Sequence, residues 1–264
     1  MSLNVLITGA ASGIGKATKD YFLKEGHNVY ALDLNKIEKQ ENLVSFEVDI
    51  SNKEKLINVR QKLLDDNAEL DVIINCAGIH KMASLVEDNL DKIEKVIDIN
   101  LLGTMKVNNI FHQNLKKDGR ILIITSEVAS LDPMPFNGLY SVSKSGLDCY
   151  AQALRQELNL IGQKVVTIRP GAIKTPLSAN SMVDTQKLAD ETKLYQKQAC
   201  KFFTIANKFM GTPIKPEKLA KLIYKAATRK RPKLIYQKHR NLGLVLLNIL
   251  PKRMQCFIIK LLLK

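Results

Sequence analysis

Tyr140 and Lys144 bound the segment Tyr140-Ser-Val-Ser-Lys144, a spacing that puts a phenol and an ammonium on one face of a helix. An ammonium held near a phenol favours the phenolate and draws a pKa that starts near ~10 toward neutrality. A phenol tuned in this way exchanges protons with an alcohol or carbonyl oxygen. The pair by itself is a weak signal, since a chain with 7 Tyr and this much Lys supplies about one such spacing by chance. Its plain alternative is a surface lysine lying over an aromatic ring.

A second group lies at the start of the chain, where Thr8-Gly9-Ala10-Ala11-Ser12-Gly13-Ile14-Gly15 follows an apolar run at residues 3–8 and precedes a helical pattern at 14–24. A turn between strand and helix can press backbone N–H groups and a helix N-terminus against a pyrophosphate. Glycines there allow close approach, unusual backbone angles and tight packing. Thr8, Gly9, Ser12, Gly13, Ile14 and Gly15 are therefore expected at a dinucleotide. Asp33 ends the next strand-like run, 20 residues after Gly13. A carboxylate there accepts hydrogen bonds from both ribose hydroxyls and repels a 2′-phosphate. NAD(H) is favoured over NADP(H), with Lys36 near enough to soften the preference and a turn or cap role as the structural alternative for Asp33. Asp49, after the third strand, could hydrogen-bond the adenine edge or open the next turn.

These residues need a scaffold, and the periodicity supplies one. Strand-like runs recur at residues 28–33, 43–48, 70–75, 120–125 and 164–169, with helical stretches at 53–66, 91–115 and 139–161. Such alternation predicts an α/β fold, a Rossmann-type doubly wound parallel sheet of about seven strands with helices on both faces. A single catalytic domain is expected over residues 1–236, with a lid segment at 176–213 that is helix-like over 184–210, and a last helix-strand unit at 216–236. Residues 237–264 form a C-terminal helical extension with apolar stretches at 242–250 and 254–263, split by Pro251.

Composition narrows the function further. With 264 residues, 45% hydrophobic and 25% charged, the chain can bury a full core. Met1-Ser2-Leu3-Asn4 lacks a basic n-region and a cleavage pattern, which predicts a cytoplasmic protein. Cys76, Cys149, Cys200 and Cys256 are widely spaced with no His at ligand spacing, so no metal site or disulfide framework is expected. Of the 40 Lys and Arg behind the net charge of +14, thirteen fall in residues 218–264, where there is no Asp or Glu. The preceding part is nearly neutral. A basic tail can meet an anionic membrane or nucleic acid, or remain a solvated face. Nucleic acid has only charge in its favour, as there is no Trp and no recognition module. A serine hydrolase has still less in its favour, as there is no Gly-x-Ser-x-Gly elbow and none of His27, His80, His112 and His239 stands where a triad member would be argued.

The ordered set of Thr8 to Gly15, Asp33, Asp49-Ile50, Asn75-Cys76-Ala77-Gly78, Asn100, Ser126, Tyr140, Lys144 and Pro170-Gly171 resembles the short-chain dehydrogenase/reductase family, over most of the chain up to about Pro176. The resemblance implies that Tyr140 is the general acid/base and that Ser126, 14 residues earlier, orients the substrate oxygen. It implies that Lys144 lowers the tyrosine pKa and holds the nicotinamide ribose, and that Asn100 anchors a water in a proton relay. Asn75, Ala77 and Gly78 would support the sheet and cofactor, and Pro170, Gly171, Ile173 and Thr175 would cover the nicotinamide. Taken singly, Ser126 reads as a strand-end cap, Asn100 as a mid-helix residue and Thr175 as an N-cap. Cys76 departs from the family's second Asn, while Thr125 and Glu127 stand where a Ser or Gly is usual, Glu127 near the expected substrate path.

The family's lid lies after Pro170-Gly171, and here it offers Phe202, Phe203, Ile205, Ala206, Phe209 and Met210 at helical spacing. That stripe reads either as core packing or, with Met134, Pro135 and Phe136, as a wall for a lipophilic alcohol or ketone. The ending Arg231-Pro232-Lys233-Leu234-Ile235-Tyr236 and the apolar tail are loosely similar to the retinol and 17β-hydroxysteroid dehydrogenase branch, which implies a steroid, retinoid or lipid alcohol. The expected reaction is NAD(P)-dependent interconversion of a secondary alcohol and a ketone. The rival is a catalytically silent NAD(H)-binding sensor or scaffold. A homodimer or homotetramer through the two long helices is also implied. The tail, too short to span a bilayer, is expected to cover the active-site entrance, join a subunit interface or make peripheral contact with a membrane.

Overall fold

Val5, Leu6 and Ile7, neighbours in sequence, are all inaccessible to solvent, a pattern that arises in a sheet covered on both faces. The computed structural model describes residues 2–209 and 212–264. Its elements are β1 (Asn4–Thr8), α1 (Gly13–Lys24), β2 (Asn28–Asp33), β3 (Leu43–Glu47), α2 (Lys53–Asp65), β4 (Leu70–Asn75), α3 (Leu90–Ile97), a π-helical turn (Asp98–Gly103), α4 (Thr104–Phe111), β5 (Leu115–Ile124), α5 (Gly138–Asn159), β6 (Lys164–Pro170), α6 (Pro176–Glu191), α7 (Gln196–Phe209), α8 (Pro216–Thr228), β7 (Ile235–Lys238), α9 (Leu242–Ile249) and α10 (Lys252–Leu263). The seven strands pair in parallel in the order β3-β2-β1-β4-β5-β6-β7. This is the expected Rossmann-type sheet.

Alternate strand residues feed two separate cores. On one face Leu6, Ile73, Ile121, Ile123 and Val165 meet Leu56 and Leu63 of α2, Val107 and Phe111 of α4, and Leu147 and Ala151 of α5. On the other, Val5, Ile7, Ile74, Leu122 and Val166 meet Phe22 of α1 and Leu219 and Ile223 of α8. Each such buried side chain contributes roughly 1.5–3 kcal/mol.

Three elements differ from the sequence reading. The single helix expected at 91–115 is interrupted by the π-helical turn, and helix gives way to strand β5 at Leu115. Leu70 pairs with Leu115 and Val72 with Arg120, so the polar, glycine-containing residues 116–119 bulge from the ladder. The lid is two helices rather than one. Pro176 begins α6, where Thr175 caps the helix in reciprocal hydrogen bonds with Ser178, and Glu87 marks the break after it. Its carboxylate accepts from Thr192 Oγ1 at 2.5 Å and from the N–H groups of Lys193 and Leu194 at 3.0 Å each. That break is tertiary in origin, with no glycine or proline to announce it. Met210 lies outside the described residues, as does the side chain of Phe209.

The tail folds back on the sheet-and-helix body. Asn241 N–H donates to Glu127 Oε2 at 2.6 Å, Asp132 N–H donates to Asn248 Oδ1 at 2.5 Å, and Gln255 Nε2 donates to Asp132 Oδ2 at 3.0 Å. Leu263 enters a cluster with Met82, Phe136, Leu188 and Phe202. Among the described residues no helix is long and apolar enough to cross a membrane.

Candidate active site

The sheet order reverses direction at β1 and β4, and beyond their C-terminal ends a crevice for a ligand is expected on such folds. Thr8 Oγ1 ties the two strands there by accepting from Cys76 N–H at 3.2 Å and Ala77 N–H at 3.1 Å. The glycine turn passes close over this point. Gly9 has φ +66° and a Cβ on it would lie 2.8 Å from Ala77 Cα, while a Cβ on Gly15 would lie 2.0 Å from Gly9 O. Gly13, with φ +53°, approaches Thr175 so closely that a Cβ would be 3.2 Å from its methyl group. Segments 9–15, 76–78 and 171–175 thus converge around the start of α1, whose first N–H groups have no partners within the helix.

Asp33, at the tip of β2, is 9% exposed and fixed in orientation. Ala11 N–H donates to its Oδ2 at 2.9 Å, and Asn35 donates to Oδ1 from N at 2.8 Å and from Nδ2 at 3.2 Å. A glycine cradle, a helix N-terminus and a carboxylate at the end of the second strand fit the pyrophosphate and ribose of a dinucleotide. Asp49 Oδ1 accepts from Ser51 N–H at 2.8 Å in a local turn, while Ile50 packs beneath Gly103. Asn75 Nδ2 donates to Asn108 Oδ1 at 2.8 Å under the sheet end. Gly171 abuts His239, where a Cβ would lie 1.7 Å from the carbonyl oxygen. Pro170 registers with Lys238 of β7, Ile173 is buried, and the Thr175 hydroxyl is engaged in its cap.

The second polar group assembles beside this cradle. Ser126 follows β5 and, as the cap of a short turn, accepts from Val128 N–H at 3.4 Å. Its hydroxyl lies near enough to the phenol of Tyr140 to hold the phenol's pKa down. Tyr140 and Lys144 share a face of α5, with Lys144 Nζ 5.8 Å from the Tyr140 ring centre and donating to Ile124 O at 3.3 Å. Asn100 lies in the π-helical turn, a local distortion frequent at functional sites. Its Oδ1 accepts from Ile79 N–H at 2.8 Å, and its Nδ2 donates to Ile79 O at 2.9 Å and Ser143 Oγ at 3.0 Å. Both amide protons are therefore committed to protein groups, and the side chain braces the segment after β4 against α5. A Cβ on Gly78 would fall 3.1 Å from Asn100 Oδ1 and 3.4 Å from Lys144 Nζ, so the glycine keeps the space beside these two side chains open.

Electrostatics depart from the sequence expectation. Burial pushes the Tyr140 phenol up to about 12, opposed by the Ser126 side chain rather than by Lys144. Burial likewise pushes the Lys144 ammonium down to about 8. Desolvation is the largest influence on both groups and outweighs the lowering of the phenol that the pair's spacing predicts. Glu127 also differs, turning toward the tail and Gly171 instead of the substrate path. Two neighbours were not anticipated. Ser143 supports Asn100, and the His80 ring lies 4.3 Å from that of Tyr140 with Nε2 paired to Asn137 Oδ1 at 2.9 Å. Burial holds His80 down at about 4 and therefore neutral. Its position two residues after Gly78 was the available signal. The lid side chain Phe202 packs edge-on against Phe136, 5.6 Å between ring centres.

The family model of the short chain dehydrogenases matches residues 3–186, which contain the whole of this arrangement up to the lid. The chain belongs to the short-chain dehydrogenase family. This dehydrogenase is 30% identical over 200 residues to an NADPH-dependent 1-acyldihydroxyacetone phosphate reductase of Schizosaccharomyces pombe, covering 72% of this chain and 67% of that one. It is 26% identical over 229 residues to a 3-ketodihydrosphingosine reductase of Bacteroides thetaiotaomicron, covering 86% and 84%. A short chain dehydrogenase family protein of Francisella tularensis superposes with a TM-score of 0.75 at 24% identity, over 90% of this chain and 97% of that one. The protein is accordingly an NAD(P)-dependent oxidoreductase acting on CH–OH groups.

Proposed function

We propose that this dehydrogenase interconverts a lipophilic secondary alcohol and its ketone with NAD(H), Tyr140 moving the proton on the substrate oxygen. The observation that carries this reading is the meeting of the Ser126 hydroxyl and the Tyr140 phenol beside Lys144, next to a cradle that glycines keep open. Bound nicotinamide supplies the hydride acceptor or donor. Tyr140, protonated at neutral pH with its pKa near about 12, donates its proton to a carbonyl oxygen and takes it back in the reverse direction. Ser126 holds that oxygen by a hydrogen bond, Lys144 stabilises the phenolate left behind, and Asn100 is a positioning residue that fixes the segment around Gly78. Asp33 supports NAD(H), because an oriented carboxylate accepts ribose hydroxyls and repels a 2′-phosphate.

A lipophilic substrate is supported by the apolar cluster of Met82, Phe136 and Phe202 beside the site and by the acyl and sphingoid compounds in the names of two relatives. The exposed Leu102, Met105 and Val142, on the helices the family pairs through, support a homo-oligomer. The test is Tyr140→Phe assayed on a panel of steroid, retinoid, sugar and long-chain ketones. Turnover is expected to fall at least about 100-fold with NADH binding by fluorescence retained. A variant that keeps wild-type turnover overturns the assignment.

A further inference from the structure

We propose that the outward face of α9 and α10 docks on an anionic lipid bilayer, so that the active site of the dehydrogenase works at a membrane surface. The inner sides of these helices are already used, through Asn248 and Gln255 against Asp132 and through Leu263 in the cluster with Phe136 and Phe202. Their outer sides are apolar and open to solvent. Leu242, Leu246 and Ile249 of α9 recur at helical spacing and are 74%, 65% and 74% exposed. Met254, Phe257 and Leu261 of α10 form a second such stripe at 49%, 66% and 66%. Single exposed apolar residues are ordinary, but two continuous stripes of large ones mark an interaction surface.

Charge decides the occupant. Arg253, Lys260 and Lys264 follow a helical repeat directly beside the stripe of Met254, Phe257 and Leu261, and residues 218–264 contain thirteen Lys or Arg with no Asp or Glu. A second copy of this chain would bring like charges together on the same face, an unfavourable pairing. An anionic bilayer instead complements both features, lipid chains taking the apolar stripe and headgroups the flanking cations. The surface is also mechanically close to the chemistry. Glu127, next to Ser126, accepts the Asn241 N–H immediately before α9, so a docked tail adjoins the loop that carries the substrate-orienting hydroxyl.

The test is co-sedimentation of the full-length protein with vesicles of phosphatidylcholine and phosphatidylserine, beside vesicles of phosphatidylcholine alone. Wild type is expected to sediment with the anionic vesicles only and to be released by high salt. Two triple variants are compared, Arg253→Glu/Lys260→Glu/Lys264→Glu and Leu246→Ser/Phe257→Ser/Leu261→Ser. Each is expected to weaken partitioning at least about tenfold, with Tm and NADH binding unchanged because the altered side chains are exposed. The charge variant keeps the test valid if the serine variant fails to fold. Wild type remaining in the supernatant, or variants partitioning like wild type, overturns the proposal. So does duplex DNA binding without vesicle binding, or self-association that the serine variant abolishes, which makes a second copy the occupant. Activity on a water-soluble ketone is read in parallel, so failure at the membrane is distinguishable from failure of the catalytic assignment.

Discussion

The hydroxyl of Ser126, just beyond β5, lies beside the phenol of Tyr140 on α5 and holds its pKa down. The segment after β5 and helix α5, separated by residues 127–137, thereby bring the two hydroxyl groups to one place. The Ser126 side chain is the largest influence opposing the burial that raises the phenol pKa. Ser126→Ala is therefore expected to lower kcat/KM on a ketone substrate by about 10²- to 10⁴-fold. Dissociation of NADH, followed by fluorescence titration, should be little changed. Comparable losses in both would assign Ser126 to binding.

Asp33 makes a separate prediction. Replacement by Ser removes the charge that would repel a 2′-phosphate and the acceptor held by Ala11 and Asn35. Efficiency with NAD(H) should fall about 10- to 150-fold, the cost of a lost hydrogen bond to a charged group, while efficiency with NADP(H) rises. Steady-state kinetics with both cofactors read the outcome. An unchanged ratio would mean that Asp33 serves only its turn.

Lys144 governs stability at alkaline pH. Its folded pKa is pushed from 10.5 down to about 8 by burial, so between those values the unfolded chain holds a proton that the folded chain has released. Stability contributed by this group therefore rises as pH climbs from about 8 toward 10.5. Below that window the buried cation costs on the order of 3 kcal/mol. Lys144→Met should raise Tm at neutral pH and flatten its rise between pH 8 and 10, while abolishing turnover. Calorimetry across that range separates this from a simple loss of packing.

Sheet and cofactor loop were legible in the sequence for local reasons. A strand buried on both faces must be apolar throughout, and a turn that lets Gly9 approach Ala77 and Gly15 approach Gly9 tolerates no Cβ. The spacing of Tyr140 and Lys144 was equally local, being one turn of helix. Their electrostatics were not, since desolvation depends on what the whole fold packs around them. Nor were the break at residues 192–195, which Glu87 imposes from more than a hundred positions away, or the π-helical turn that seats Asn100 against Ile79 and Ser143.

The sequence by itself determined which groups could transfer a proton and which turn could hold a dinucleotide, because both depend on residue type and short-range geometry. Only the tertiary structure decided that Glu127 serves the tail rather than the substrate, that His80 lies against Tyr140, and which face of the tail stays open. Those outcomes depend on the packing of distant segments, where burial and hydrogen-bond partners are assigned by the fold as a whole.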